Sequence, residues 1–264
     1  MKIFAIGAGK NIGYFSALHF LSSGHKVVFF LRSPGAFDND ATIQPYLKSG
    51  QASIVKGDAL DKQAVENAWN AANKDSNVDL VLFTVGGTPV FKPTQGLVIS
   101  PMDLTTRSLS NVLQSIASTR TQDSMPRMIV ITSTGVTKAS HDNLPFGFKW
   151  FYSYALHSPH VDKLGMERLL QYAMGKKWEE EVEPSEEVLP AGWQQHYPPS
   201  GWLPNIVIVR PAFLTDGESK ATYKASTDEF ASYIISRKDV AHFIGTRILP
   251  EWSTWSNKIV NIGN

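Results

Sequence analysis

The fold class the sequence predicts is a doubly wound, mostly parallel α/β sheet in three α/β/α layers, and three observations carry it. Short apolar runs alternate with helical patterns along all 264 residues, the arrangement of a parallel sheet covered by helices. Most of these runs are near-continuous Val, Ile, Leu and Phe, as strands buried on both faces should be. The first run passes directly into a glycine-rich turn and then into a helical pattern. The expected organisation is one domain over residues 1–264 with an irregular insertion at about 175–204.

The strands are expected at Lys2–Ile6, Lys26–Leu31, Ala52–Lys56, Asp79–Val85, Arg127–Thr132 and Asn205–Arg210. Between the first two, Ile12, Phe15, Leu18 and Leu21 or Phe20 mark one face of a helix. Gly24 is placed to end it in a left-handed conformation. Further helices are expected at Lys62–Ala72 with Asp61 as cap, at Asp103–Thr119, at roughly Ser153–Met174 and at Arg237–Leu249. The last opens with Ser236-Arg-Lys-Asp239, a capping-box arrangement. Residues 175–204 break the rhythm, being acidic and carrying five prolines and three tryptophans. The prolines exclude a long helix. Two readings stand: a surface excursion pinned by its tryptophans, or a lid over an active site.

The totals exclude more than they assign. With 25 basic and 24 acidic residues the formal net charge is +1, so no nucleic-acid or membrane-surface footprint is expected. The absence of cysteine removes disulfides, thiolate metal sites and Cys nucleophiles, and no metal site is expected. No apolar run approaches the roughly 20 residues of a spanning helix. Lys2–Ile6 is too short for the core of a signal peptide. A soluble, cytoplasmic protein acting on a small molecule is the expectation.

The turn itself reads GAGKNIG, Gly7 to Gly13. Gly7 suits a tight turn directly after a strand. Gly9 lets the backbone approach a pyrophosphate, whose charge the amino end of the next helix stabilises. Gly13, one turn into the helix, lets helix and strand pack closely. The spacing G-x-G-x-x-x-G is one residue longer than the common dinucleotide fingerprint. Acidic residues that hold the ribose of NAD usually end the second strand. Here Phe30-Leu31-Arg32-Ser33 stands there, with no carboxylate before Asp38. Arg32, Lys10 and Ser33 suit a 2′-phosphate, which favours NADP; the plainer reading leaves both cations simply solvated.

With these pieces in place the chain resembles the short-chain dehydrogenase/reductase superfamily, and within it the atypical NAD(P)H-binding branch of NmrA-like proteins and biliverdin/flavin reductases. The residues carrying this are GAGKNIG at 7–13, LRS at 31–33, GDALD at 57–61 and TVGG at 84–87, followed by ITSTGV at 131–136, DKLGMERLL at 162–170, VRPAFLTDG at 209–217 and ISRKDVAHFI at 235–244. The resemblance implies a Rossmann fold. It also implies a cofactor set of Gly7, Gly9, Lys10, Asn11, Ile12, Gly13, Arg32, Ser33, Asp58, Ala59, Val85, Gly86, Gly87, Ser133, Lys163, Pro211 and Phe213. A lysine before the second motif glycine marks NADP use in such families; Lys10 stands there, although Asn11 replaces that glycine.

The superfamily's standard branch uses Ser, Tyr and Lys, the last two at i and i+4 on one helix face. By resemblance Ser133 fits the serine and Lys163 the lysine, but Pro159 holds the tyrosine's position. Thr134 could serve beside Ser133. Candidates for the missing proton donor are His160, three residues before Lys163, and Tyr154. Glu167 is expected to pair with Lys163 at i,i+4. Phe91, Phe146, Phe148, Trp150, Phe151 and Tyr152 suit a planar or hydrophobic acceptor, in a pocket formed by residues 87–101, 141–160 and the insertion. The activity expected is hydride transfer from NADPH to such an acceptor. The alternative is a non-catalytic regulator that senses NADP(H), in the manner of NmrA-like proteins.

Overall fold

The computed structural model describes residues 1–88, 90–92, 96–136, 157–180 and 183–264. The elements run β1 (Lys2–Ile6), α1 (Asn11–Ser22), β2 (Lys26–Leu31), α2 (Gln44–Ser49), β3 (Ala52–Lys56), α3 (Lys62–Asn73), β4 (Leu80–Phe83), β5 (Val90–Lys92), β6 (Gly96–Val98), α4 (Leu104–Thr119) and β7 (Arg127–Ile131). They continue with α5 (His157–Met174), β8 (Ile206–Pro211), β9 (Phe213–Thr215), β10 (Lys224–Ser226), β11 (Ile234–Ser236), α6 (Arg237–Phe243) and β12 (Lys258–Gly263). Eight strands form one sheet in the order β10-β12-β8-β7-β4-β1-β2-β3. All its pairings are parallel except β10 with β12. This is the doubly wound Rossmann architecture, with the order reversing between β1 and β4. Ligands of such sheets bind at that switch point, outside the carboxyl ends of the strands.

Alternation along each strand divides the core in two. Ile3, Ala5, Phe29 and Leu82 join the residues of α1 and α6 on one face. Phe4, Ile6, Val28 and Val81 join those of α3, α4 and α5 on the other. Helix α1 hides Ile12, Gly13, Ser16, Ala17, Phe20 and Leu21, a stripe displaced from the expected one: Phe15 and Leu18 are only half-buried. The shift follows from a neighbour the sequence does not announce. A methyl group at Gly245 would meet His19 Cβ at 2.5 Å, so α1 is pressed against the segment after α6 as well as against the sheet.

Local signals hold at the helix ends. Asp61 accepts from the Ala64 amide (3.2 Å), Gly24 has φ +80°, and Ser236 accepts from the Asp239 amide (2.9 Å). The last helix is shorter than its pattern: it gives way after Phe243 to a π-helical turn at Ile244–Ile248. Strand β12, on the far side of β8, is not among the strands expected from the sequence. The start of the helix expected at roughly Ser153 lies outside the described residues.

The insertion packs along α4 and α5. The Trp193 ring meets Tyr172 edge-on at 5.1 Å, Tyr197 shares a hydrogen bond with Ser110 (2.8 Å), and Leu203 donates its amide to Ala173 O (2.9 Å). Trp193, Trp202 and Leu203 are buried in the same cluster as Leu109, Leu113 and Leu170. That is the packing of a pinned surface excursion.

Candidate functional site

The carboxyl end of β1 is where backbones come closest. Gly7 has φ +76°, and a Cβ there would meet the Thr84 carbonyl carbon and the Val85 nitrogen, both at 2.6 Å. A side chain at Gly13 would collide with Thr84 Oγ1 and sit 2.7 Å from Ala8 Cα. Asn11 has φ 56°, the left-handed conformation glycine would adopt there without strain. Asparagine tolerates that conformation better than most residues, so the substitution of the expected glycine leaves the turn geometry available. Gly9 faces Leu31 Cδ2 at 3.3 Å, and Ile12 is buried.

Helix α1 opens without a side-chain cap: Lys10, extended at φ −161°, supplies no acceptor, and no acidic residue stands in the first turn. The first amide donors and the positive end of the helix dipole are therefore left for an external anion. Lys10, Asn11, Arg32 and Ser33 are exposed along the same edge. Neither Lys10 nor Arg32 forms an ion pair with a described residue. Asp40, the next carboxylate but one after β2, accepts from Tyr14 OH (2.6 Å) and from the Thr42 amide (2.9 Å). Burial and that carboxylate push the Tyr14 phenol up to about 12.

Asp58 and Ala59 follow β3. Asp58 accepts from the Leu60 amide (3.0 Å), and Ala59 O accepts from Asn111 Nδ2 (2.9 Å). Beyond β4, Val85 is half-buried and Gly86 borders open space. Gly87 lies against Ile99 and Leu104, so its missing side chain serves packing.

The other half of the edge is built from side chains. Ser133 is half-buried, its Oγ donating to Thr134 O (3.1 Å). Thr134 is buried and donates to Arg210 O (3.2 Å), tying the turn after β7 to β8. Lys163 Nζ donates to Ile131 O (2.9 Å) at the end of β7. Glu167 does not form a hydrogen bond or ion pair with Lys163, contrary to the i,i+4 expectation. It accepts from Arg210 Nε (2.9 Å), from Arg210 Nη2 and from Thr132 Oγ1 (2.8 Å). A guanidinium fork offers a carboxylate two donors at once, and here it takes the carboxylate in preference to the ammonium one helical turn earlier. Arg210 also donates to Glu229 (2.9 Å). Burial opposes its charge, but Glu167, Glu229 and Glu180 together hold its pKa above the ordinary arginine value.

Asp162 is buried and closes the amino end of α4, accepting from the Thr105 and Thr106 amides at 2.8 Å each. Burial lowers the Lys163 pKa to about 8, against the pull of Asp162 and Glu167. His160 sits half-buried three residues earlier on α5, whose first turn accommodates Pro159. Pro211 ends β8, and Phe213 opens β9, 40% exposed. Tyr154 and the aromatics 146–152 lie outside the described residues. Residues whose importance the sequence did not signal are Thr132, Asp162 and Glu229, each of which acts through a partner remote in the chain.

Comparison with known proteins now adds to this geometry. A family profile described as NAD(P)H-binding matches residues 7–178. The chain belongs to that NAD(P)H-binding family. It is 24% identical over 258 residues to Reductase pytE of Aspergillus terreus, covering 92% of this chain and 90% of that one. Among solved structures, ChuY, an anaerobilin reductase from Escherichia coli O157:H7, superposes with a TM-score of 0.59 at 20% identity, covering 100% of this chain and 97% of its own. A wide-type short-chain dehydrogenase/reductase from Veillonella parvula in complex with NADP superposes at 0.60 with 11% identity, covering 100% and 94%. These likenesses establish the Rossmann fold, and the relatives by sequence and structure include reductases. Among the described residues no helix is long and apolar enough to cross a membrane, and no cluster of His, Asp and Glu could hold a metal ion.

Proposed function

We propose that the protein is an NADP-dependent reductase that passes hydride from NADPH to a small, planar or hydrophobic acceptor. The single observation that carries the cofactor choice is Arg32: exposed directly after β2, unpaired among the described residues, and standing where NAD sites keep an acid. The residues present fit the dinucleotide. Gly7 and Gly13 leave a cradle that any side chain would fill, and the uncapped start of α1 presents free amides to a pyrophosphate. Lys10, Arg32 and Ser33 would hold the 2′-phosphate, Asp58 and Ala59 the adenine side, and Val85, Gly86 and Gly87 the adenosine ribose. Pro211 and Phe213 would wall the nicotinamide end. When bound, the cofactor supplies the hydride.

The chain's own contribution is to bind, orient and hold a proton near the acceptor. Ser133 Oγ, whose partner among the described residues is a neighbouring carbonyl, is available to an acceptor carbonyl or a carboxamide. Lys163 is held by Ile131 O at the same strand end, within reach of a ribose hydroxyl by family resemblance. A soluble, cytoplasmic reductase is the setting this reading implies. Mixing the protein with NADPH and a panel of flavins, quinones and enones tests it: loss of the reduced cofactor's absorbance with at least one acceptor is expected. Pro159 at the tyrosine position favours a second reading, a sensor that binds NADP(H) without turnover. Such a protein would leave that absorbance unchanged for hours while distinguishing the oxidised from the reduced cofactor in affinity.

A further inference from the structure

We infer that Lys163 is the proton donor of the reaction, its ammonium taking over directly the task for which the missing tyrosine would have been expected. This rests on the reductase reading above and deepens it. The first ground is its isolation. Lys163 has two acidic neighbours on its own helix, and the fold has spent both elsewhere. Asp162 is held by two amides of α4. Glu167 is held by Arg210 and Thr132. Among the described residues the ammonium forms no ion pair; its hydrogen bond runs to Ile131 O alone (2.9 Å). An ammonium has three donors, so two remain for other partners.

The second ground is location. Ile131 ends β7 two residues before Ser133, at the carboxyl edge where ligands of this fold lie. The third is that no tyrosine is available four residues earlier, where Pro159 stands. A desolvated amine whose two neighbouring carboxylates are bound by other donors gives up its proton more readily than a solvated one, and the pKa of about 8 agrees with that expectation. An acid works best when its pKa lies near the working pH.

The charged groups around it set the direction of the pH dependence. On α5 they are His160, Asp162 and Glu167. On β8 there is Arg210 with Glu229 bound to it, and at the start of α4 Asp103 pairs with Arg107 (3.4 Å). The step balances as follows for a carbonyl acceptor. Hydride from the reduced nicotinamide forms a C–H bond at the carbonyl carbon, and the C=O π pair moves to oxygen. That oxygen takes a proton from Nζ, which is left as a neutral amine and is reprotonated by water.

The experiment uses the full chain with 9,10-phenanthrenequinone as the probe acceptor and saturating NADPH. Lys163→Ala should lower turnover at least 100-fold, and added ethylammonium should restore part of it in proportion to its protonated fraction. Lys163→Arg keeps the positive charge but not a releasable proton, so it should be similarly slow and should lack the fall in rate above about pH 8 that is expected of the natural protein. A readout independent of turnover is the titration of the Lys163 side chain by NMR of ε-labelled lysine in the cofactor-free protein, expected near pH 8. A Lys163→Arg variant that retains the full rate and pH profile overturns the assignment, as does a titration at or above the ordinary lysine value. Failure of the natural protein to oxidise NADPH with the quinone, or with the flavins and enones above, overturns the parent reading and the assignment with it.

Discussion

The two halves of the sheet's carboxyl edge are made from different material. Around β1 and β2 the edge is backbone: Gly7, Asn11 and Gly13 bring main chains together, and the charged residues there, Lys10 and Arg32, are exposed and unpaired among the described residues. Around β7 and β8 the edge is side chain: Glu167, Arg210, Thr132 and Asp162 are buried and bonded to one another or to main-chain donors. The open half is fit to receive an anion from outside, whereas the closed half has satisfied its own charges and left one ammonium over. One half is left open, and the other is stiffened by its own side chains.

The contrast is sharpest where the closed half is broken. Glu167→Leu leaves Arg210 with Glu229 as its hydrogen-bonded carboxylate among the described residues and should destabilise the protein by about 3–5 kcal/mol in chemical denaturation. The double variant Glu167→Leu with Arg210→Met should recover most of that loss, because no buried charge is then orphaned. If the double variant is as unstable as the single, the network is not what closes this half. Gly7→Ala tests the open half. Its left-handed backbone and the 2.6 Å approach to Thr84 and Val85 should cost on the order of 3 kcal/mol and remove NADPH binding. A variant with an unchanged melting temperature would show that the main chains are not in fact so close.

A smaller effect of opposite sign is expected at the leftover ammonium. With the folded pKa of Lys163 near 8 and an ordinary value of 10.5, the unfolded chain binds a proton that the folded chain has lost between those two pH values. Stability therefore rises with pH across that window, and below it the folded state carries the full burden of a buried charge. Lys163→Met should raise stability at pH 7 by about 2 kcal/mol, discounted for partial exposure. The gain should shrink steadily above pH 8, as unfolding curves at pH 7, 8.5 and 10 would reveal. Smallest of all, Asn11→Gly should stabilise by up to about 1 kcal/mol by relieving a left-handed side chain, without weakening NADPH binding. A loss of affinity instead would mean that the Asn11 side chain itself contacts the cofactor.

The same division explains what could be read from the sequence. Strands β1, β2 and β3 fall where their continuous apolar runs put them, and Asp61, Gly24 and Ser236 act at the helix ends where local chemistry calls for them. The glycine turn was legible for the same reason: its requirements are local. Glu167 was not. The cation one turn before it in the helix is Lys163, but the partner it takes is Arg210, 43 residues further on, and only the adjacency of β7 and β8 makes that choice possible. The stripe on α1 was misplaced for a related reason, since Gly245 lies more than 200 residues from the helix it receives. Strand β12 carries only Ile259, Val260 and Ile262 as apolar signal, and needs β8 beside it to become a strand.

The most direct test of the cofactor claim is calorimetric titration of the protein and of Arg32→Ala with NADPH and with NADH. The natural protein should bind NADPH far more tightly than NADH, and Arg32→Ala should lose about 10- to 100-fold in NADPH affinity while its weak NADH binding and its stability stay unchanged. Equal affinity for the two cofactors, or an Arg32→Ala variant that still prefers NADPH as strongly, would contradict the account.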